Sequence, residues 1–197
     1  MFFYIKRFFD FFISLSVLII IFPILLIVCI SIFICDLHNP FFVQERSGQN
    51  GKKINILKLQ TMKIINGKKK VTNFGKFLRT SKIDELPQLI NVLKNDMSLV
   101  GPRPLYVEFN SYYKKKHKLR LSVKPGITGL AQIKVKDSTD WNKKFNYDVI
   151  YSKKINFKLD FYILFKTFFK ILSSLIIKSE RPIESFDYKK NFFENYK

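Results

Sequence analysis

Asn73-Phe-Gly-Lys-Phe-Leu-Arg-Thr-Ser-Lys-Ile-Asp-Glu-Leu-Pro-Gln-Leu-Ile-Asn-Val-Leu-Lys-Asn-Asp-Met-Ser-Leu-Val-Gly-Pro-Arg-Pro104 is the stretch on which the reading of this chain turns. Two adjacent carboxylates, Asp84 and Glu85, stand directly before a helix signal. Leu86, Leu89, Ile90 and Leu93 fall at i, i+3, i+4 and i+7, which predicts one buried helical face. Pro87 has no N–H and is tolerated only in a first turn, so the helix is expected to begin beside Asp84. Both acids then sit at the positive end of a helix dipole, where an ionised Asp or a phosphate is favoured. Arg79 and Arg103 flank them. Taken alone, an acid in this place usually caps the helix and does nothing more.

Working outward, Gly101-Pro-Arg-Pro104 reads as a rigid turn. Pro102 and Pro104 fix φ on both sides of Arg103 and hold its guanidinium where an oxygen pair could be gripped bidentately. Upstream, Thr72 or Asn73 can cap a short helix over 74–79 with Phe74, Phe77 and Leu78 inward. The basic run 63–70 around Gly67 reads as a solvated loop. Asn50-Gly51 is a type I′ hairpin signal joining 41–48 to a return strand over 52–60, where Ile54 and Ile56 alternate. Downstream, 105–118 reads as an amphipathic helix with His117 solvated. The residues Ser138 to Asp140 can cap a helix over 141–151, in which Asp148 is an exposed acid and a secondary site candidate. The apolar run 157–178 is interrupted by Lys158, Asp160, Lys166 and Lys170. Central lysines would burden a spanning helix, whereas a helix in the membrane interface sends them to headgroups.

The N-terminal apolar run over 11–35 is about 25 residues, long enough for a hydrocarbon core of roughly 30 Å. It is too long for a cleaved leader and lacks a small-residue cleavage site, so it is expected to be retained. Lys6 and Arg7 precede it and a basic chain follows, so both flanks favour the cytoplasmic side. Pro23 removes one helical hydrogen bond near the middle. A re-entrant hairpin breaking at Pro23 satisfies both flanks; an ordinary spanning anchor with a tolerated proline is the alternative. A net charge of +20 together with 47% hydrophobic residues fits a protein lying on an anionic leaflet and handling phosphorylated substrates. Cys29 and Cys35 both lie in the apolar run and give neither a disulfide framework nor a metal site.

Ser-x-x-Asp-Glu-Leu-Pro-Gln-Leu over 81–89, followed by Asn-Val-Leu-Lys-x-Asp-Met-Ser-Leu-Val-Gly-Pro-Arg-Pro over 91–104, resembles the core of the bacterial sugar transferases, the monotopic phosphoglycosyl transferases. Lys6-Arg7-Phe-Phe-Asp10, Phe-Phe-x-Gln-x-Arg-x-Gly over 41–48, Lys58-Leu-Gln-Thr-Met62 and Pro-Gly-Ile-Thr-Gly over 125–129 are similar to further motifs of that family. The chain departs from it at three places. Gln60 stands where a cation is common, Lys134-Val135-Lys136 stands where Asn-Gly-Arg is common, and Phe22-Pro23 replaces a Ser-Pro kink.

The resemblance implies an α+β, mostly helical fold: a re-entrant membrane helix over 1–38, a catalytic domain over 39–178 with a short β-hairpin and interfacial helices, and a polar tail over 179–197. It also implies the minimal catalytic form of the family, on the cytoplasmic face of a bacterial inner membrane. The implied reaction moves a sugar 1-phosphate from a nucleotide sugar, a UDP-sugar, to undecaprenyl phosphate with release of UMP. By resemblance Asp84 is the nucleophile and a ligand of Mg²⁺, and Glu85 assists. Arg79, Arg103, Pro102, Pro104, Lys58, Lys136 and Gln88 form the substrate and phosphate site. Nearby guanidinium groups, the helix end and Mg²⁺ are expected to lower the Asp84 pKa. Anionic lipids are implied partners, and there is room for downstream glycosyltransferases and a homodimer. Two rival classes are a polybasic membrane scaffold without catalysis and a nucleic-acid binder. The first leaves the paired acids unexplained. The second explains the charge alone, since most of the 22 Phe fall in membrane-type or helix-core stretches, and nucleic acid is not an expected partner.

Overall fold

The computed structural model describes residues 1–36, 39–65, 67–135, 137, 139–176 and 188–196. Helix α1 (Phe2–Asp36) leads into the antiparallel hairpin β1 (Phe41–Ser47) and β2 (Lys53–Leu59). Asn50 and Gly51 both take positive φ in its turn, at 56° and 76°, as a type I′ connection requires. The basic run expected as a loop is instead a second hairpin of β3 (Met62–Ile65) and β4 (Lys68–Val71), turning through Gly67 at φ 72°. Thr72 caps α2 (Asn73–Ser81) by accepting the Gly75 amide at 2.9 Å. Leu78 of α2 is buried, but Phe77 is exposed against expectation. A 3₁₀ turn, Ile83–Glu85, leads into the six-residue α3 (Gln88–Leu93).

After α3 the strand β5 (Ser98–Val100) pairs in parallel with the remote β6 (Gly126–Thr128). A Cβ on Gly126 would overlap the Gly101 amide, so the two glycine-containing turns meet backbone to backbone. The segment 105–118 is not an amphipathic helix; it forms the 3₁₀ segments Val107–Ser111 and His117–Ser122. Then follow α4 (Leu130–Lys134), α5 (Trp141–Lys154), capped by Asp140 accepting from Lys143 N at 2.9 Å, and α6 (Phe157–Ile176). The tail, read as structureless, includes α7 (Tyr188–Asn195). Phe192 of α7 is fully buried and stacks on Phe109 at 3.8 Å, beside Trp141 and Phe145. His117, expected in solvent, is buried with Nδ1 2.7 Å from the Tyr196 hydroxyl and Nε2 3.0 Å from Asn146 Oδ1.

The main core joins β2, α3, β5, α5 and α6 through Ile56, Val92, Val100, Tyr151 and Ile163. Helix α1 is long and apolar enough to cross or anchor in a membrane. It runs as one helix through Pro23, where a helix-break-helix was expected. One face of it lies along the domain for most of its length. Lys6 donates to Asp160 Oδ2 at 2.6 Å, Arg7 donates to the Val92 and Leu93 carbonyls, and Asp10 accepts from Ser98 Oγ at 2.7 Å. Val17, Leu18 and Ile21 pack on the main core, and Val28 and Ile32 close a cluster with Leu59 and Leu78. The opposite face, including Phe12, Ile20, Ile27 and Ile34, is exposed. Asp160, read as an interruption of an interfacial helix, is the buried counter-charge of Lys6. On α6 the rings of Phe161, Phe165 and Phe169 follow one another along the exposed side.

Candidate active site

Lys82 ends α2 in the left-handed region, at φ 62°. That turn brings Ile83, Asp84 and Glu85 back over β2. The sequence led us to expect Leu86, Ile90 and Leu93 as the buried face of α3. Leu89 is buried, but the rest of the buried face is Glu85, Gln88, Asn91 and Val92, and the three expected residues are only part-buried. Asn91 explains the rotation. Its Oδ1 accepts the Leu57 amide at 3.0 Å and its Nδ2 donates to the Asn55 carbonyl at 2.7 Å, so it pairs with β2 as a strand would. This fixes α3, and with it the acids, against the hairpin.

Glu85 is the electrostatic centre of the site. Arg103 reaches its Oε1 at 2.6 Å through Nη2, with Nη1 3.5 Å from Oε2, and Lys58 Nζ lies 3.4 Å from Oε1. Burial alone would raise the Glu85 pKa, but the charges of Arg103, Lys58 and Lys82 hold it well below the usual carboxylate range. Asp84 goes the other way. Burial, and then the charge of Glu85, raise it to about 6 against Lys58, Lys82 and Arg79. The expected lowering of Asp84 is therefore not found. Its cationic neighbours are outweighed by desolvation, and α3 is too short for its dipole to replace them. Adjacent acids pushed apart in this way divide the work of a permanent anion and a titrating group. Asp84 is still ionised in roughly nine molecules of ten at pH 7. Its Oδ1 is buried with no hydrogen-bond partner among the described residues.

The structure thus brings Asp84, Glu85, Lys58 and Arg103 together. Arg79 acts on Asp84 through its charge, while its Nε donates to Thr61 Oγ1 at 2.8 Å. Pro102 and Pro104 are buried on either side of Arg103 as expected, though the Arg103 fork holds Glu85 in place of an open oxygen pair. Gln88 is buried at the start of α3. Pro23 belongs to α1, and Lys136 lies outside the described residues. Ile83, next to Asp84, packs on the cluster that α1 closes with Val28 and Ile32, so the acids stand beside α1.

Sequence reasoning missed Arg46 and Arg120 and misread Asp148. Arg46 stacks over Tyr106 at 3.5 Å, donates to Gln44 Oε1 at 2.6 Å, and adds its charge to those of Lys58 and Arg103. Alternation in β1 could have found it, since the register puts Arg46 on the face that carries Lys58. Arg120 and Asp148 form a buried ion pair at 3.0 Å, and Arg120 also donates to the Arg103 carbonyl at 2.7 Å and to the Tyr113 hydroxyl at 3.0 Å. Asp148 is therefore neither exposed nor a site acid; with Arg120 it braces the turn that carries Arg103. Burial raises its pKa and Arg120 opposes the rise.

The described residues hold no cluster of three or more potential metal-ligating side chains of the His, Cys, Asp and Glu types. Mg²⁺ does not need one. It keeps several waters and commonly binds one or two carboxylates plus substrate phosphates. Asp84, with an unpartnered oxygen, fits that role; Glu85 is committed to Arg103 and Lys58.

The family model described as Bacterial sugar transferase matches residues 1–174. A Bacillus subtilis (strain 168) protein with the name uncharacterized sugar transferase EpsL is 40% identical over 160 residues, which are 77% of this chain and 79% of that protein. The UDP-glucose:undecaprenyl-phosphate glucose-1-phosphate transferase of Klebsiella pneumoniae is 40% identical over 183 residues, 84% of this chain and 39% of that protein. The Escherichia coli (strain K12) protein of the same name is 36% identical over 183 residues, again 39% of its length. The chain thus spans about two fifths of these two longer relatives.

Proposed function

The chain belongs to the bacterial sugar transferase family, and on that premise we propose that it moves a sugar 1-phosphate from a UDP-sugar to undecaprenyl phosphate, releasing UMP, with the phosphosugar held in between on Asp84. The observation that carries this reading is the division of the acid pair beside α1. Glu85 is a fixed anion that gathers Arg103 and Lys58, and Asp84 is largely ionised at neutral pH yet free of a strong ion pair. An ionised carboxylate oxygen that no partner blunts is what attack on the sugar-proximal phosphorus requires. The bond from Asp84 to phosphorus forms as the bond to UMP oxygen breaks. The polyprenyl phosphate oxygen then attacks the same phosphorus and Asp84 leaves as carboxylate. Arg103, Lys58 and Arg46 supply positive charge where phosphate oxygens gather, and Arg79 and Lys82 do so on the Asp84 side. Mg²⁺ would be held by Asp84 and the substrate phosphates, and when bound it neutralises phosphate charge. The test is UMP release from a panel of UDP-sugars by the purified protein with undecaprenyl phosphate. Continued release that needs both the acceptor and Mg²⁺ is expected, with no more than about one equivalent of UMP per protein released by UDP-sugar alone. No release from any UDP-sugar, or release unchanged by chelation, would remove the reading.

The placement we propose is monotopic, on the cytoplasmic face of the inner membrane. Both ends of α1 support it. Lys6, Arg7 and Asp10 bind the same domain that receives the chain again at β1, so a crossing would carry one end away across roughly 30 Å of hydrocarbon. Cysteines at positions 2 and 40 of a cysteine-free protein should both be labelled from the cytoplasmic side only. Labelling of position 2 from the periplasm would show a spanning helix.

Helix α6 should add to the attachment through Phe161, Phe165 and Phe168, with Lys166 at the headgroups. Lys166→Glu is expected to weaken binding to anionic vesicles by about 1 kcal/mol or more. Equal flotation of wild type and variant would take α6 off the membrane.

A further inference from the structure

A cavity of about 160 Å³ lies between the first turns of α1, β5 and the approach to β6. Phe3, Met97 and Val123 give it apolar walls, and Arg7, Lys124 and Gln49 line it from three separate segments. Neither cation forms an ion pair among the described residues. Arg7 donates to the Val92 and Leu93 carbonyls, and Lys124 Nζ donates to the Asn95 amide oxygen. The carboxylate in the wall, Asp10, is already taken by Ser98 and by Lys6 at 3.6 Å. Burial, with the charge of Arg7 next, pushes the Lys124 pKa down. A fold that crowds two cations at one partly apolar hollow leaves room for an anion there.

We infer that this cavity seats the phosphate of an anionic membrane phospholipid. A volume close to 150 Å³ takes a benzene-sized group, enough for a phosphate and its first carbons but not for a whole lipid. The acyl chains then lie outside, where Phe3 and Phe8 continue the exposed apolar face of α1. Charge complementarity favours a headgroup of net negative charge over a zwitterion. The seat is separate from the acid pair. Arg7 holds the C-terminal carbonyls of α3 while Asp84 and Glu85 precede its first residue, so the length of that helix, about 9 Å, stands between them. The inference therefore does not depend on the proposed reaction.

Native mass spectrometry of the full chain in neutral detergent tests it, with short-chain phosphatidylglycerol, phosphatidylcholine, inorganic phosphate and a short polyprenyl phosphate as probes. Phosphatidylglycerol should bind at least about tenfold more tightly than phosphatidylcholine or inorganic phosphate, and Lys124→Glu should lose about tenfold or more of that affinity. Lys124→Arg should restore it. Lys124→Gln, which can still donate to Asn95, should fall between and covers the case in which Lys124→Glu fails to fold. Equal retention by Lys124→Gln, or inorganic phosphate binding as tightly as the lipid, overturns the inference. Displacement of phosphatidylglycerol by the polyprenyl phosphate also overturns it and assigns the seat to the acceptor.

Discussion

Asp84→Asn should leave a protein that folds, melts at a higher temperature than wild type, and has lost activity by several orders of magnitude. The amide keeps the size of the side chain and removes both the charge and the nucleophile. A mass increase of one phosphosugar should appear on wild type after rapid mixing with UDP-sugar alone, and none on the variant. Initial rates against the two substrates should give parallel lines. An absent adduct together with intersecting lines would favour direct transfer in a ternary complex. The stability change has its own sign. The folded-state pKa of Asp84, about 6, lies above its ordinary value of 3.8, so the folded protein takes up the extra proton between those values. Stability therefore falls as pH rises through that window and stays reduced above it. Removing the titrating group should recover roughly 1–3 kcal/mol at pH 7 in metal-free buffer, and almost nothing below about pH 3. A variant less stable than wild type at pH 7 would show that Asp84 is a structural cap and not a strained acid.

Asp148→Ala should destabilise the protein by about 3–5 kcal/mol, because it leaves the Arg120 guanidinium buried without its counter-charge. Both side chains are nearly inaccessible, at 2% and 5%. Arg120 also holds the Arg103 carbonyl, so the loss should spread to the turn that places Arg103 on Glu85. Denaturant unfolding in detergent measures the first effect. The pair of changes Arg120→Met and Asp148→Leu should recover most of the stability while activity stays low, because the brace on Arg103 is gone. A loss under about 1 kcal/mol for Asp148→Ala would mean that the pair is solvated in the folded protein.

What could be read from the sequence was local. The type I′ turn at Asn50-Gly51, the Thr72 cap, the Asp140 cap and the acids before Pro87 each depend on residues within a few positions, and each stands where it was expected. Long-range burial was not legible. Asp148 looked exposed because its partner Arg120 is 28 residues away. The tail looked unstructured because what orders α7 is a ring stack of Phe192 on Phe109, reached across the fold. The second hairpin was hidden by its lysines, which can point to water from a two-stranded ribbon as readily as from a loop. In the candidate site the acids and Arg103 were found from motif and spacing. The inverted pKa order of Asp84 and Glu85 could not be, because it arises from which oxygens the cations reach after folding.

The anchoring of α1 also has a history in time. Lys6 and Asp160 lie 154 positions apart, so at 5–20 residues per second roughly 8–30 s of synthesis separate the charge from its partner. Through that interval the nascent helix meets the bilayer with a long apolar face and with Lys6 facing Asp10 alone, and only the holds of Arg7 on α3 and of Asp10 on Ser98 can form before α6 is made. In the cytoplasmic-face placement proposed above, Lys6 and Arg7 would have to stay on the side where they were made. The Lys6–Asp160 pair locks that choice only once α6 arrives. A loss of charge at position 6 would therefore act before folding, on the fraction of chains that enter the membrane the wrong way, as well as afterwards on the stability of those that do not.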